Sequence, residues 1–156
     1  MRLMVRIMTK KYEARSTIID VANFIERFVF LKNKTLYLLI SLWVILTHKY
    51  QLFDYTGYLF AHSPEPGSGK SRLLEVLDPL VYNSSGILVS PTEAVLFRTA
   101  VDATQLLDEV DSWSNRDELR SVLNAGFHKA GTVTRMEQLH TGGYRPVKFQ
   151  IGRAHV

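Results

Sequence analysis

The sequence predicts an α/β fold, in which helices cover a mostly parallel sheet. Short apolar runs alternate with segments of helical apolar spacing between residues 58 and 127. Proline, glycine or asparagine stands at most of the boundaries between them. The 156 residues are 46% hydrophobic and 22% charged, which suits one globular domain with a real core. Strands that alternate with helices favour parallel pairing.

Strands are predicted wherever a short apolar run is bounded by turn residues. The predicted strands are 58–62, 86–90 and 104–107, with weaker candidates at 132–136 and 147–151 around a glycine-rich turn. The run at 58–62 leads into a Pro/Gly loop, and the run at 104–107 ends in acidic residues.

Five helices are predicted from apolar spacing and from capping residues. They run from Thr17 to about Val29 with Ser16 or Thr17 as N-cap, from Thr35 to His48, from Lys70 to Leu80, from Thr92 to Val101 after Pro91, and from Asn115 to Phe127. Asn115 and Glu118 have the spacing of a capping box. The second helix is apolar nearly all round, which is typical of a helix buried between other elements.

These elements divide into a helical prefix, residues 1–50, and a core, residues 51–150. The longest apolar run, from Leu36 to Leu46, is interrupted only by Ser41. It is too short for a bilayer, which needs roughly 20 residues. With no cysteine and no signal-peptide pattern, the sequence predicts a soluble cytoplasmic protein without membrane contact.

The chain is mildly basic, with a formal net charge of +4. Such a balance is compatible with contact to nucleic acid. Part of the excess lies in a stretch that could equally be a solvated arm: Arg2, Arg6, Lys10, Lys11 and Arg15.

The most informative segment is Pro64-Glu65-Pro66-Gly67-Ser68-Gly69-Lys70-Ser71, between a predicted strand and a predicted helix. It matches the P-loop pattern G-x-x-x-x-G-K-[ST], except that Pro64 replaces the first glycine. The glycines let the backbone N–H groups face phosphate oxygens, and the following helix directs its positive end at the anion. Lys70 would reach the β- and γ-phosphates and Ser71 would bind Mg²⁺. The predicted nucleotide-binding residues are Gly67, Ser68, Gly69, Lys70, Ser71 and Arg72.

An apolar run that ends in Asp108-Glu109 follows roughly forty residues later, which matches the Walker B arrangement. Asp108 would hold the Mg²⁺ shell, and Glu109 would deprotonate the attacking water. Asp111 is a weaker third candidate. The predicted catalytic residues are therefore Lys70 and Glu109, the predicted metal ligands are Ser71 and Asp108, and the predicted cofactors are ATP and Mg²⁺. The glycine loop and the acidic strand end together predict a P-loop three-layer sandwich.

Other polar and aromatic residues carry weaker signals. The histidines at 48, 62, 128 and 140 lack metal-ligand spacing, and Trp43 and Trp113 are expected to pack. Arg98 and Arg135 could reach phosphate or a neighbouring subunit, although surface arginines are the commoner case.

Several blocks together resemble a P-loop ATPase domain of phage, plasmid and integrated-element proteins, often joined to primase-like or helicase-like regions. They are Leu42-Trp43-Val44 with Thr47-His48, residues 63–77, residues 106–111, residues 119–126 and residues 133–135. The resemblance covers roughly residues 17–150. It implies a AAA-like ATPase that works on DNA in a replication or helicase-type protein and assembles into a homo-oligomeric ring. An alternative is a nucleotide-dependent switch or assembly module without DNA-motor activity.

The chain ends in Ile151-Gly152-Arg153-Ala154-His155-Val156. A widely used sequencing adapter, GATCGGAAGAGCACACGTC, translates from its second base into these six residues. We therefore expect residues 151–156 to be a non-native tail and the ATPase core to be incomplete at its C-terminal side. Residues 147–150 would begin the strand that carries a polar sensor in comparable ATPases. Without that sensor and an arginine finger, this chain alone would hydrolyse ATP weakly.

Overall fold

The computed structural model describes residues 2–63, 65, 67–100, 103–110, 116–128, 130–138 and 142–150. In chain order the helices and strands are α1 (Arg2–Glu26), α2 (Lys34–Lys49), α3 (Lys70–Leu77), β1 (Ser84–Val89), α4 (Glu93–Thr99), β2 (Thr104–Asp108), α5 (Arg116–Gly126), β3 (Thr132–Gln138) and β4 (Tyr144–Gln150). A short 3₁₀ turn, Tyr50–Leu52, follows α2. Asn115 and residues 151–156 lie outside the described residues.

A small parallel sheet confirms the predicted α/β character. β1 and β2 run parallel and are connected through α4, with Ile87 opposite Leu106 and Val89 opposite Asp108. Alternate residues of a strand point to opposite faces. Leu106 belongs to a buried cluster with α1, α2 and α3, whereas Leu107 packs against a second cluster built on α4. Helices therefore cover both faces of β2.

The predicted strand at 58–62 is wrong, because these residues form no strand in the structure. The segment has strand-like alternation: Leu59 packs against the main core, while the Tyr58 hydroxyl donates to the Leu123 carbonyl of α5 at 2.6 Å. Just upstream, the Gly57 carbonyl accepts the indole N–H of Trp43 at 3.0 Å. The apolar pattern therefore reflects side chains that pack on both sides of the segment. No strand forms, because within the described residues no neighbouring strand pairs with its backbone.

The two weaker strand candidates form a hairpin. β3 and β4 pair antiparallel from Thr132 opposite Gln150 to Gln138 opposite Tyr144, and they make a sheet separate from β1 and β2. Gly142 and Gly143 take positive φ values of 81° and 105° in the connection, which suits glycine. Residues 147–150 are in a strand as expected, but that strand pairs with β3 and not with β2, and the expectation that it carries a polar sensor stays a prediction.

Helix α1 begins far earlier than the predicted start at Thr17. Neither glycine nor proline interrupts residues 2–26, so nothing in the local sequence stops the helix. Ser16 and Thr17 are not caps. The Thr17 hydroxyl donates to the Glu13 carbonyl four residues back at 2.9 Å, and Ser16 bonds to Asp20 at 3.2 Å.

Helix α2 follows the prediction closely, and its N-cap is Asn33, whose side chain accepts the Thr35 N–H at 2.9 Å. It packs on α1 through one face that includes Tyr37, Ile40 and Val44. The expectation of burial all round is wrong, since the opposite face exposes Leu38, Leu39 and Leu42. In the part of the chain that the structure describes, no helix is both long and apolar enough to cross a bilayer.

The start of the hairpin depends on the absence of a side chain at Gly131. A Cβ there would collide with the Ala125 carbonyl and would lie 2.9 Å from the His128 carbonyl oxygen. Both obstacles are backbone atoms at the end of α5, so they cannot move aside by a rotamer change. We expect Gly131→Ala to lower the free energy of unfolding by about 1–3 kcal/mol, as overpacking usually does. Urea unfolding followed by circular dichroism measures this change.

Gly57→Ala is the matched control for Gly131→Ala. A Cβ at Gly57 meets no atom within 4 Å, and its φ is not left-handed. We expect this variant to be neutral or to be stabilised by up to about 1 kcal/mol through a less flexible unfolded chain. Equal unfolding midpoints for the two variants would show that the close approach at Gly131 is not a constraint.

Candidate functional site

The loop before α3 has the backbone geometry of an anion cradle. Gly67 and Gly69 take φ values of 72° and 87°, and Gly69 immediately precedes the helix that begins at Lys70. A Cβ at either glycine would meet nothing within 4 Å, so the left-handed backbone and not a lack of space favours glycine. The first N–H groups of a helix lack partners within the helix and attract negative charge. Pro64 and Pro66 lie outside the described residues.

The side chain of Lys70 crosses the loop. Its Nζ donates to the Ser63 carbonyl oxygen at 3.1 Å, and the side chain is half-buried. A single carbonyl satisfies only one of the three ammonium donors. The other two remain able to bind an anion in the loop.

The acidic pair lies where β2 ends. Asp108 is the last residue of the strand, and its Oδ1 accepts the backbone N–H of Glu109 at 2.9 Å. Glu109 has a φ of 56°, in the left-handed region that costs a residue with a Cβ about 1–2 kcal/mol. The chain therefore turns sharply between the two acids. Strained backbone of this kind is concentrated at functional sites.

One cavity of about 510 Å³ joins the loop to the acidic pair. Its polar lining consists of Lys70, Ser71, Asp108 and Glu109. The remaining lining is Gly67, Trp43 of α2, residues 59–61, Leu73, Leu74 and Leu77 of α3, Leu106 and Leu107 of β2, and Val110. The size is ordinary for a small-molecule site, and the few convergent polar groups on an apolar wall are typical of one.

The fold explains why these four polar residues meet. The N-terminus of α3 and the carboxyl end of β2 lie at the same end of the structure, because α3 packs along β2 through the main core. Ligands of open α/β sheets bind beyond the carboxyl ends of the strands. A cation, a hydroxyl and two carboxylates arranged in this way can hold a polyphosphate together with a hard divalent cation.

Three of the predicted nucleotide-binding residues do not line this cavity. They are Ser68, Gly69 and Arg72. Arg72 forms an ion pair with Glu75 at 2.8 Å, and its guanidinium lies 5.7 Å from the centre of the Phe28 ring. Both partners of that ion pair are half exposed, so Arg72 is held on the outer side of α3.

The weaker candidates are not part of the cavity as described. Asp111 and Trp113 lie outside the described residues. Arg98 is exposed on α4, and the side chain of Arg135 is not described. The ring of His48 bonds to the Leu80 carbonyl at 2.9 Å, which agrees with the expectation of a satisfied histidine.

Sequence reasoning missed the part that α2 plays at the site. Trp43 packs, as predicted, but it also lines the cavity and holds the segment before the loop through Gly57. Thr47 is fully buried, and its hydroxyl accepts the Tyr82 N–H at 3.0 Å. Helix α2 is therefore hydrogen-bonded to the segment before the glycine loop, at Gly57, and to the segment after α3, at Tyr82. In the sequence, the one sign of this role is a tryptophan within an apolar helix. That pattern predicts that Trp43 is buried, but not that it contacts Gly57.

Tyr58 is a second structural residue that the sequence did not single out. Burial raises the pKa of its phenol well above the ordinary value. The hydroxyl stays protonated at any pH at which the protein works, and it donates to the Leu123 carbonyl at 2.6 Å. This bond fixes α5 to the segment that leads into the loop.

Comparison with known proteins gives no neighbour for this chain: no family model, no curated protein and no solved structure matches it.

Proposed function

We propose that this chain binds ATP with Mg²⁺ and hydrolyses it, within a P-loop three-layer sandwich. The supporting observation is the single cavity that brings Lys70 and Ser71 of the glycine loop to Asp108 and Glu109 of β2. These residues are 37 to 39 positions apart in the sequence, as the numbering shows, and each has the chemistry that its proposed role requires.

The glycine loop would hold the phosphates. Backbone N–H groups from Gly67 to Ser71 offer donors to the phosphate oxygens, and the N-terminus of α3 adds its partial positive charge. The Lys70 ammonium would leave the Ser63 carbonyl for the terminal phosphates, where a charged acceptor makes a stronger hydrogen bond.

The hydroxyl of Ser71 and the carboxylate of Asp108 fit a magnesium ion. Both are hard oxygen donors that line the cavity, and Mg²⁺ in proteins is usually held by one or two carboxylates together with substrate phosphates and water. When bound, the ion neutralises charge on the phosphate groups. Glu109, at the end of the same strand, would accept a proton from water.

Apolar residues would exclude bulk water from the inner part of the site. Leu73, Leu77 and Leu106 are buried in the main core and also line the cavity. A lower local dielectric strengthens the attraction between Lys70 and phosphate. The larger setting, a DNA-working motor that assembles as a homo-oligomeric ring, is proposed from the resemblance described above.

The test is a binding titration that separates the nucleotide from the metal. A fluorescent ATP analogue is added to the chain with Mg²⁺ and, in parallel, with EDTA. We expect tight binding with Mg²⁺ and clearly weaker binding with EDTA. Equal, weak affinity in both conditions would contradict the proposed site.

Asp108→Asn tests the metal ligand directly. The amide keeps the shape of the carboxylate but loses its charge, so we expect the dependence of ATP affinity on Mg²⁺ concentration to shift to at least about tenfold higher concentration. Asp54→Asn is the control, because Asp54 is exposed in the segment after α2 and does not line the cavity. An unchanged Mg²⁺ dependence in folded Asp108→Asn protein would remove Asp108 from the metal site.

A further inference from the structure

Among the described residues that line the cavity, two are aromatic, and they differ in how much of the ring is free. Trp43 is only 8% exposed, and its indole N–H donates to the Gly57 carbonyl. Phe60 lines the same cavity but is 71% exposed. An aromatic ring with a free face beside a ligand cavity is suited to stack on a flat part of the ligand, and Phe60 has that free face.

The ring of His62 lies parallel to the ring of Phe60. Their planes differ by 9° and their centroids are 6.0 Å apart, which is within the range of offset aromatic stacking. Both side chains are exposed, whereas Leu59 of the same segment packs against the main core. Phe60 and His62 therefore form one flat surface in the segment that leads into the glycine loop, and we call it the aromatic platform.

The aromatic platform lies within a nucleotide's length of the phosphate-binding groups. Ser63 directly follows His62, and its carbonyl oxygen accepts a hydrogen bond from the Lys70 ammonium at 3.1 Å. Phe60 is three residues before Ser63, so their backbones are at most roughly 10 Å apart. An extended nucleoside triphosphate spans a comparable distance between its terminal phosphate and its base. A triphosphate at Lys70 can therefore place its base at the platform.

The polar side chains of the cavity leave none to recognise the edge of a base. Among its described lining residues, the side chains that can form hydrogen bonds outside Trp43 are those with roles at the phosphates, the metal or the attacking water: Lys70, Ser71, Asp108 and Glu109. A base at the platform is then held through its face. Every base has such a face, so stacking depends little on which base is present.

We propose that Phe60, extended by His62, binds the base of the nucleotide by stacking, a role that rests on the proposed binding of Mg·ATP at the glycine loop. The site then accepts purine nucleoside triphosphates as a class and does not select adenine over guanine. The platform contacts the base alone, so it adds nothing to the affinity for a triphosphate that lacks a base. This difference separates the platform from the phosphate-binding groups.

Isothermal calorimetry with unlabelled ATP, GTP and inorganic tripolyphosphate, each with Mg²⁺, tests this role on the whole chain. We expect wild type to bind ATP and GTP within about tenfold of each other, because a site that hydrogen-bonds one substrate and not its analogue discriminates by about 10⁴-fold or more. Phe60→Ala should weaken both nucleotides about 5- to 150-fold, the value of one stacked base, and leave tripolyphosphate unchanged. Phe60→Trp should keep the nucleotide affinity, because a ring face remains.

Phe30→Ala is the matched control, because Phe30 is highly exposed between α1 and α2 and does not line the cavity. The proposal is overturned if Phe60→Ala binds ATP as wild type does, if it loses tripolyphosphate as strongly as ATP, or if GTP binds wild type more than about tenfold more weakly than ATP. Wild type that binds tripolyphosphate as tightly as ATP keeps the phosphate site and refutes the platform. Wild type that binds neither refutes the glycine loop as a phosphate site, and the platform with it.

Discussion

Lys70→Ala is expected to raise the dissociation constant for Mg·ATP about 10- to 150-fold. The ammonium is the only lysine or arginine charge among the described residues that line the cavity. A hydrogen bond to a charged group contributes about 1.5–3 kcal/mol, and this range converts into that loss of affinity. Titration with a fluorescent ATP analogue measures it, and isothermal calorimetry provides a label-free check.

Lys49→Ala is the matched control for Lys70→Ala. Lys49 is an exposed lysine at the end of α2 and does not line the cavity, so its removal should leave ATP affinity unchanged. Within the described residues the Lys70 side chain donates one hydrogen bond, to a backbone carbonyl, and its loss should not unfold the protein. If folded Lys70→Ala binds Mg·ATP as wild type does, the glycine loop is not a phosphate site.

The predictions that held are those that local chemistry decides. Gly67 and Gly69 need a left-handed backbone just before a helix, and the structure has it at both positions. Leu106 and Leu107 lie on opposite faces of a strand that helices cover on both sides, as a buried parallel strand requires. The alternation of strand and helix then brings the end of β2 to the start of α3.

The sequence did not predict which strands pair with each other. Residues 58–62 have the apolar alternation of a strand, but alternation reports which side chains are buried and not which backbone is adjacent. Residues 147–150 have strand propensity, and the sequence could not distinguish a place in the parallel sheet from a place in the hairpin with β3. Helix α1 shows the same limit, because residues 2–15 lack a clear apolar period yet contain nothing that ends a helix.

The residues of the candidate site also fall into two groups, those that a local motif predicted and those that only the packing of the chain brings to the site. The roles proposed for Lys70, Ser71, Asp108 and Glu109 follow from residue type and spacing, and one cavity contains all four. The contact of Trp43 with Gly57 joins positions 14 residues apart and depends on how α2 packs, which no local pattern records. Arg72 follows the motif directly, but its ion pair with Glu75 one helical turn on determines where the side chain lies.

Glu109→Gln is expected to keep ATP affinity within about threefold and to reduce hydrolysis about 10²- to 10⁴-fold. The amide fills the same space but cannot accept a proton from water, and general-base catalysis typically contributes a factor of that size. Glu109 has a left-handed backbone, its N–H donates to Asp108 Oδ1, and both residues line the cavity. Because we expect slow turnover, a single-turnover assay with excess protein and γ-labelled ATP is the suitable measurement.

The control for this prediction is Glu75→Gln, an exposed carboxylate on α3 that pairs with Arg72 and does not line the cavity. It should hydrolyse ATP at the wild-type rate. Wild-type turnover in Glu109→Gln would mean that another group is the base, with Asp111 the next candidate to substitute. If wild type binds ATP with Mg²⁺ but shows no hydrolysis above buffer, the nucleotide acts in this chain as a switch ligand. In that case Glu109→Gln changes nothing, and the two variants become indistinguishable from wild type in this assay.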